Sequence, residues 1–307
     1  MKLLSMLRQR TIQLKTIFIS LINLRESLDV IRINQGIAFS RQNEQNSSKK
    51  LTDFEFKVFS QNGEDGILQK LVKSIQIKNK TFIEFGVEEF VESNLRFLMM
   101  KDNWCGFVID GSSHNLKKLR NHPFYWKHQL EAECAFITKD NINELLSRSK
   151  FDEDIGILSI DIDGNDYYVL EAISSVKPRI LVCEYNAVFG PARKISVPYR
   201  PDFVRTRAHY SNLFFGASLA AMTHIANNKG FSLVGVNSAS CNAFFVRNDV
   251  LNDKLEVLTA EQAFLESKTR ESRDINGNLT FLPGNKRYEL IKGLKVLNVE
   301  TNSLERL

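Results

Sequence analysis

An α/β fold, with parallel strands closed by a C-terminal antiparallel hairpin and an N-terminal helical arm, is what this sequence predicts. Three observations carry the prediction. From Leu51 onward, short β-rich runs alternate with helical segments, the pattern of a parallel sheet covered on both faces. The last two runs lie too close together for a crossover and should pair antiparallel. The chain has 307 residues, 43% hydrophobic and 25% charged, which suits one large globular domain with additions or two small ones.

The arm comes first. In residues 1–24, MKLLSMLRQRTIQLKTIFISLINL, Arg8, Arg10 and Lys15 interrupt the apolar side chains, and Thr16 to Leu24 is the longest uncharged run. A membrane-spanning helix needs roughly 20 apolar residues, and a signal peptide needs a small-residue cleavage site, so neither is expected. Leu3, Leu7, Leu14, Phe18, Leu21 and Ile22 recur at helical spacing, and the pattern resumes at Leu28, Ile31, Ile33 and Ile37. Such a helix can pack on its own domain, pair with a dimer partner, or lie on an anionic membrane as a basic amphipathic helix. Arg41–Lys50 has no apolar residue and reads as a linker, which makes residues 1–50 an arm and linker, 51–250 the main domain and 251–307 an appended segment.

Within the main domain, Ser60-Gln61-Asn62-Gly63-Glu64-Asp65 is polar and precedes a helix, where Glu64 or Asp65 can cap. Thr81–Phe85 is the first strong strand and ends at Gly86. A helix follows over Ser93–Lys101, and Gly106–Ile109 is a strand ending in Asp110. His114–Asn121 reads as helix, Ala135–Thr138 as a weak third strand, and Asn141–Ser149 as a helix capped by Asp140. Ile155–Ile160 is the fourth strand, entering Asp161-Ile162-Asp163-Gly164, with a helix over Tyr167–Ser175. Ile180–Glu184 is the fifth strand, and Ser218–Lys229 is a helix closed by Gly230. Phe231–Val236 and Asn242–Arg247 form the hairpin. In the appended segment Asn276-Gly277-Asn278 and Pro283-Gly284 mark turns.

Composition narrows the function. The net charge of +5 is local: residues 1–50 carry nine basic and three acidic side chains, which leaves the rest near −1. The body is therefore not a nucleic-acid-binding surface by charge. Collagen, a disulfide-stapled miniprotein and a polytopic membrane protein are excluded. Cys105, Cys134, Cys183 and Cys241 are scattered without metal-ligand spacing, which predicts free thiols and a reducing, cytoplasmic setting.

Ligands of open α/β sheets bind beyond the carboxyl ends of the strands. Four predicted strand ends here carry an acid: Glu84, Asp110, Asp161 and Glu184. In Glu84-Phe85-Gly86 the glycine lets a ligand approach the backbone, and a neighbouring carboxylate can hold an amino or hydroxyl group. Asp110 ends the second strand, where one carboxylate can accept both hydroxyls of a ribose. Asp161 and Asp163 alternate along extended backbone and can face one cleft. With Glu184 and Asn186 they offer oxygen ligands to one hard divalent cation such as Mg2+, while Asp163 and Asp166 equally suit capping of the next helix. Gln61 stands at the mouth of such a site. Among five histidines without zinc spacing, His224 falls within a helix. His209 lies in a loop-like stretch after the fifth strand, where its ordinary pKa suits either a general base or a solvated loop residue. The basic stretch Ala192–Arg207 suits an acidic acceptor or simple solvation.

The blocks SQNGEDGIL, FIEFGVEEFVESNLRFL, WCGFVIDGS, LSIDIDGNDYYVLEAI, PRILVCEYN and GFSLVGVNSASCNAFFVR together resemble the FkbM-type S-adenosylmethionine-dependent methyltransferases, in particular bacterial members associated with surface-polysaccharide genes. The resemblance covers residues 55–250 and implies a Rossmann-like class I methyltransferase sheet. By it, Glu84, Gly86 and Asn94 would hold the methionine end of S-adenosylmethionine, Asp110 the ribose, and Asp161 would lie beside the sulfonium. Asp161, Glu184 and Asn186 fall where related O-methyltransferases keep ligands for magnesium. The function expected is methyl transfer to a sugar hydroxyl of a glycan or glycolipid precursor, with His209 as base candidate. Two competitors are a metal-dependent glycosyltransferase, with Asp161-Ile162-Asp163 as its DxD motif, and a non-enzymatic scaffold with a degenerate pocket.

Overall fold

The computed structural model describes residues 2–307, apart from the side chains of a few residues in the first helix. That helix, α1 (Lys2–Asn43), runs unbroken for 42 residues, past the first part of the expected linker. The side chains of Leu3, Leu7 and Ile22 from the predicted pattern lie outside the described residues. The second half of α1 meets the body. Ser40 Oγ donates to Gln69 Oε1 at 3.2 Å, and Asp29 Oδ2 accepts from Arg96 Nη2 at 2.6 Å. Gly36 crosses the body so closely that a Cβ would collide with Val58 and the Phe97 ring. Among the described residues, no helix is long and apolar enough to cross a membrane.

The body follows in the order α2 (Glu64–Ser74), β1 (Thr81–Phe85), α3 (Arg96–Asp102), β2 (Cys105–Asp110), α4 (Ser113–Arg120), β3 (Leu130–Cys134), α5 (Ile142–Ser147), β4 (Ile157–Ile160), α6 (Asp166–Ala172) and β5 (Ile180–Glu184). It continues through β6 (Ile195–Ser196), α7 (Arg205–Ala208), α8 (Leu219–Asn228), β7 (Phe231–Val236) and β8 (Asn242–Arg247). It ends with α9 (Ala260–Ala263), α10 (Asn285–Ile291), β9 (Lys295–Asn298) and β10 (Ser303–Arg306). Seven strands form one sheet in the order β3-β2-β1-β4-β5-β8-β7. The first five are mutually parallel, and the β7–β8 hairpin adds antiparallel to β5. This is the Rossmann-like sheet that the element order predicts.

The strands are apolar on both faces because both faces are covered. In β5, Ile180 and Val182 face one core layer with α2 and α3, while Leu181 and Cys183 face the other with α6 and α8. All four cysteines are free thiols.

Three local expectations need correction. The third strand is Leu130–Cys134, not Ala135–Thr138. As the sheet edge it tolerates the alternating Glu131 and Glu133, so its pattern lacks the continuous apolar run of a central strand. Asn141, not Asp140, precedes α5, and its Oδ1 accepts from Thr138 N at 2.8 Å. Helix α3 begins at Arg96 because Ser93 Oγ accepts the N–H groups of Leu95 and Arg96 and closes a turn ahead of it. A second sheet, β10-β9-β6, joins the appended segment to the stretch after β5.

Candidate active site

The chain order reverses at β1: the sheet grows through β2 and β3 on one side, then returns to β4 on the other. A crevice opens beyond the carboxyl ends of the strands at such a reversal. Here it is a cavity of about 500 Å3. Gln61, Glu84, Gly86, Asn94, Asp110, Asp161, Asp163 and Glu184 all line it, so the structure brings eight of the ten sequence-selected site residues together.

The loop after β1 forms one wall. Gly86 has φ +69°, and a Cβ there would collide with the Asp161 carbonyl oxygen, so the β1 loop and the end of β4 touch through backbone alone. Glu84 is buried and organises this loop: Ser93 Oγ donates to its Oε2 at 2.6 Å and Asn94 N to its Oε1 at 2.8 Å. Burial pushes its carboxyl up to about 7, against the lowering effect of these bonds. Asn94 reaches across to Ser159 Oγ at 3.2 Å. Glu88 and Phe90 also take left-handed backbone in this loop, a conformation costly for such side chains.

Asp110 ends β2 with each carboxylate oxygen accepting one backbone N–H, from Glu88 at 2.8 Å and from Ser112 at 2.7 Å. Each oxygen keeps lone-pair capacity for a further donor. The segment after β3 supplies Ala135, Phe136 and Ile137 beside it, and the Phe136 ring is half exposed at 52%. Gln61 stands exposed at the rim. Its loop is pinned by two acids that sequence reasoning read as caps. Asp65 Oδ2 accepts from the backbone N–H groups of Val58, Phe59 and Ser60, and Glu64 Oε1 accepts from Asn237 and Asn242 of the hairpin.

The acidic wall lies opposite. Asp161, Asp163 and Glu184 each offer a carboxylate oxygen within 4.8 Å of the others. Burial first, and then the Asp163 charge, push Asp161 well above the ordinary carboxylate range; burial and the Asp161 charge do the same to Glu184. Glu184 Oε2 is buried without a hydrogen-bond partner. Asp166 does not join them. Its carboxylate accepts from Ile162 N and Gly164 N, both at 2.9 Å, and so shapes the loop that turns Asp163 outward in left-handed backbone.

Two selected residues are not brought to the cavity. Asn186 is buried beyond it, donating its amide to the carbonyls of Leu213 and Phe215 at 2.9 Å and accepting from Val188 N at 3.0 Å. Both its amide N–H groups and its oxygen are engaged with backbone, and it stands outside the cavity that holds the other selected carboxylates. His209 sits outside the lining residues, its Nδ1 against Ser211 Oγ at 2.8 Å and its ring against Tyr210. Burial lowers its pKa, and it is not placed to serve as base. His224 stays within α8, as expected.

Sequence reasoning missed the part played by Arg205. Of the basic stretch it alone lines the cavity, donating from Nη1 to Asp163 Oδ1 at 2.8 Å with its guanidinium over the Phe215 ring at 3.8 Å. Its neighbours pair elsewhere, Arg193 with Glu305, Lys194 with Glu300 and Arg200 with Asp202. The signal available was five basic residues of which only a tertiary contact selects one.

Neither a protein-family model nor a curated protein matches this sequence. Among solved structures the chain is similar to the N-terminal domain of EvdMO1 with SAH bound, at TM-score 0.39 and 11% identity, covering 68% of this chain and 94% of that one. It is also similar to an S-adenosylmethionine-dependent methyltransferase from Clostridium acetobutylicum ATCC 824, at TM-score 0.38 and 10% identity, covering 60% and 90%. A third is an O-methyltransferase family protein from Burkholderia thailandensis, at TM-score 0.37 and 12% identity, covering 55% and 51%. At such identities the residue roles rest on the geometry itself.

Proposed function

We propose that this chain is an S-adenosylmethionine-dependent methyltransferase that methylates a hydroxyl group, with a sugar of a glycan or glycolipid precursor as acceptor. One observation carries the reading: Gly86, Asp110 and Asp161, at the ends of three adjacent parallel strands, converge on one cavity at the sheet's reversal point. Its volume of about 500 Å3 falls in the range of small-molecule sites. Asp110 suits the two vicinal hydroxyls of a ribose, the exposed face of Phe136 suits an adenine ring, and the Gly86 turn admits the amino-acid end against bare backbone.

S-adenosylmethionine supplies a methyl group made electrophilic by the sulfonium that carries it. The chain must then align an acceptor oxygen, exclude water and take up the hydroxyl proton. The acidic wall suits these tasks. A cluster of carboxylates matches the donors of a polyhydroxylated acceptor, and Asp161, whose proton affinity burial raises, is the candidate to take up the hydroxyl proton. Arg205 holds Asp163 in place and offers a further donor for an acidic group. The all-oxygen set of Asp161, Asp163 and Glu184 fits a hard divalent cation, and the unpartnered Glu184 Oε2 is the atom that gains most from one. Those three residues would hold Mg2+, which would supply positive charge to lower the acceptor hydroxyl's pKa.

Calorimetric titration with S-adenosylmethionine, with and without magnesium, tests the reading. The expected result is one-site binding that Asp110→Ala weakens at least about tenfold, the loss of one buried charge-assisted contact. No binding in either condition overturns the proposal.

A further inference from the structure

Helix α1 presents two separate faces. Asp29, Gly36 and Ser40 dock on the body. Roughly a third of a turn away runs a second stripe that the body leaves uncovered. Leu14, Ile17, Leu21, Leu24, Leu28 and Ile31 lie along it at alternating spacings of three and four, and are 45–67% exposed. Arg10 holds the same register ahead of them, giving a seam of about three heptads. Because an ideal helix drifts against a strict seven-residue repeat, such a seam is kept in register by another helix that supercoils with it. A flat surface imposes no such repeat.

The seam's chemistry also selects its partner. Residues 2–25 carry five basic side chains and no acid, which alone would suit an anionic surface. Arg10, however, stands in the middle of the apolar stripe, where burial in lipid would desolvate it. In a coiled coil a single polar seam residue is tolerated and fixes register at some cost in stability. The positions flanking the seam, Gln13, Ser20 and Ser27 on one side and Thr11, Phe18 and Arg25 on the other, bear little charge, so they offer no ionic code for a foreign helix and no repulsion between identical ones.

From this we infer that α1 is a self-association element: copies of this chain join through a coiled coil whose seam runs from Arg10 to Ile31. Leucine occupies one seam position throughout, and Ile17 and Ile31 hold two places of the other. In parallel coils that combination favours more than two strands. The docked face leaves Leu28 and Ile31 exposed beside the body.

Sedimentation equilibrium of the full chain at micromolar concentration, without detergent, is the test. An oligomer is expected, with Leu14→Asn combined with Leu21→Asn weakening association about a hundredfold while the body's melting transition is retained. Gln9→Glu, outside the seam and its flanking positions, leaves the mass unchanged. Arg10→Leu removes the charged seam residue and tightens association. A monomeric full chain overturns the inference. So does a monomer that floats with phosphatidylcholine–phosphatidylglycerol vesicles, which would assign the stripe to lipid. An oligomer whose mass ignores the seam substitutions overturns it as well.

Discussion

Glu84 shows how one side chain ties stability to the site. It is buried, it fastens the loop that carries Ser93 and Asn94, and burial raises its carboxyl to about 7. An acid whose folded pKa lies above its unfolded value contributes its stability below the unfolded value, near 4.5, and loses it as pH rises through 7. Glu84→Gln removes the titrating charge and keeps an amide oxygen, Oε1, to accept from Asn94 N. Chemical denaturation between pH 5 and 8 should therefore show the wild type losing stability relative to the variant, by roughly 1–3 kcal/mol, since a tenfold difference in proton affinity between the folded and unfolded chain corresponds to about 1.4 kcal/mol. Parallel curves would mean that Glu84 stays charged throughout. Glu184 lies on the opposite wall, away from the residues suited to the nucleoside. Glu184→Gln should cut methyl transfer by about a hundredfold, the scale of a lost acid–base group, while calorimetry shows cofactor affinity within about threefold. An equal loss in both would place Glu184 in cofactor binding instead.

At the scale of elements, a buried ion pair governs how the arm is attached. The Arg96 guanidinium lies between the rings of Phe59 and Phe124, at 3.9 and 4.3 Å, and burial lowers its pKa to about 10 although Asp29 pulls the other way. Removing one partner of such a pair leaves a buried charge uncompensated, which costs about 3–5 kcal/mol. Asp29→Ala should thus release the docked half of α1, seen as loss of amide protection over residues 29–43 by hydrogen exchange while the central strands stay protected. Undiminished protection would show that the aromatic rings alone satisfy Arg96. Strands β1, β5, β7 and β8 were legible to the residue because each is a short, largely apolar and β-branched or aromatic run bounded by turn residues. The edge strand β3 was not, because LEAEC is half polar, and of the more apolar Ala135–Thr138 the first three residues turn out to line the cavity. Strand ends located the site for the same topological reason, and Glu84, Asp110, Asp161 and Glu184 all reach it. Asn186 and His209 failed because side-chain direction past the strand end depends on partners such as the carbonyls of Leu213 and Phe215, which no local spacing reveals. Strands β6, β9 and β10 have two to four residues each; β9 and β10 form a short local hairpin, and β6 is defined only by pairing with β9 about a hundred positions away.

On the scale of the whole molecule, residues 251–307 are bound to the side of the cavity that carries the acidic wall. Val296 of β9 and Leu307 share a buried apolar cluster with Phe203, Leu213 and Phe215. Phe203 lines the cavity, and Phe215 carries the Arg205 guanidinium that holds Asp163. The second sheet fixes this cluster through the pairing of β9 with β6, and Asn212 and Arg205 both reach toward Glu271. Gly86, Asp110 and Phe136, by contrast, stand at or just past the ends of β1, β2 and β3, and none of them belongs to that cluster. Damage to the small sheet should therefore separate the two halves of the reaction. Val296→Asp places a charge in the fully buried cluster, a substitution of the severe kind. The expected outcome is cofactor affinity within about threefold of wild type by calorimetry, with transfer to the acceptor reduced at least about tenfold through the loosened Arg205 and Phe203. If transfer and cofactor binding both survive unchanged, the small sheet only decorates the domain. If both collapse together with the main melting transition, the two sheets fold as one cooperative unit and the acceptor side has no separable support.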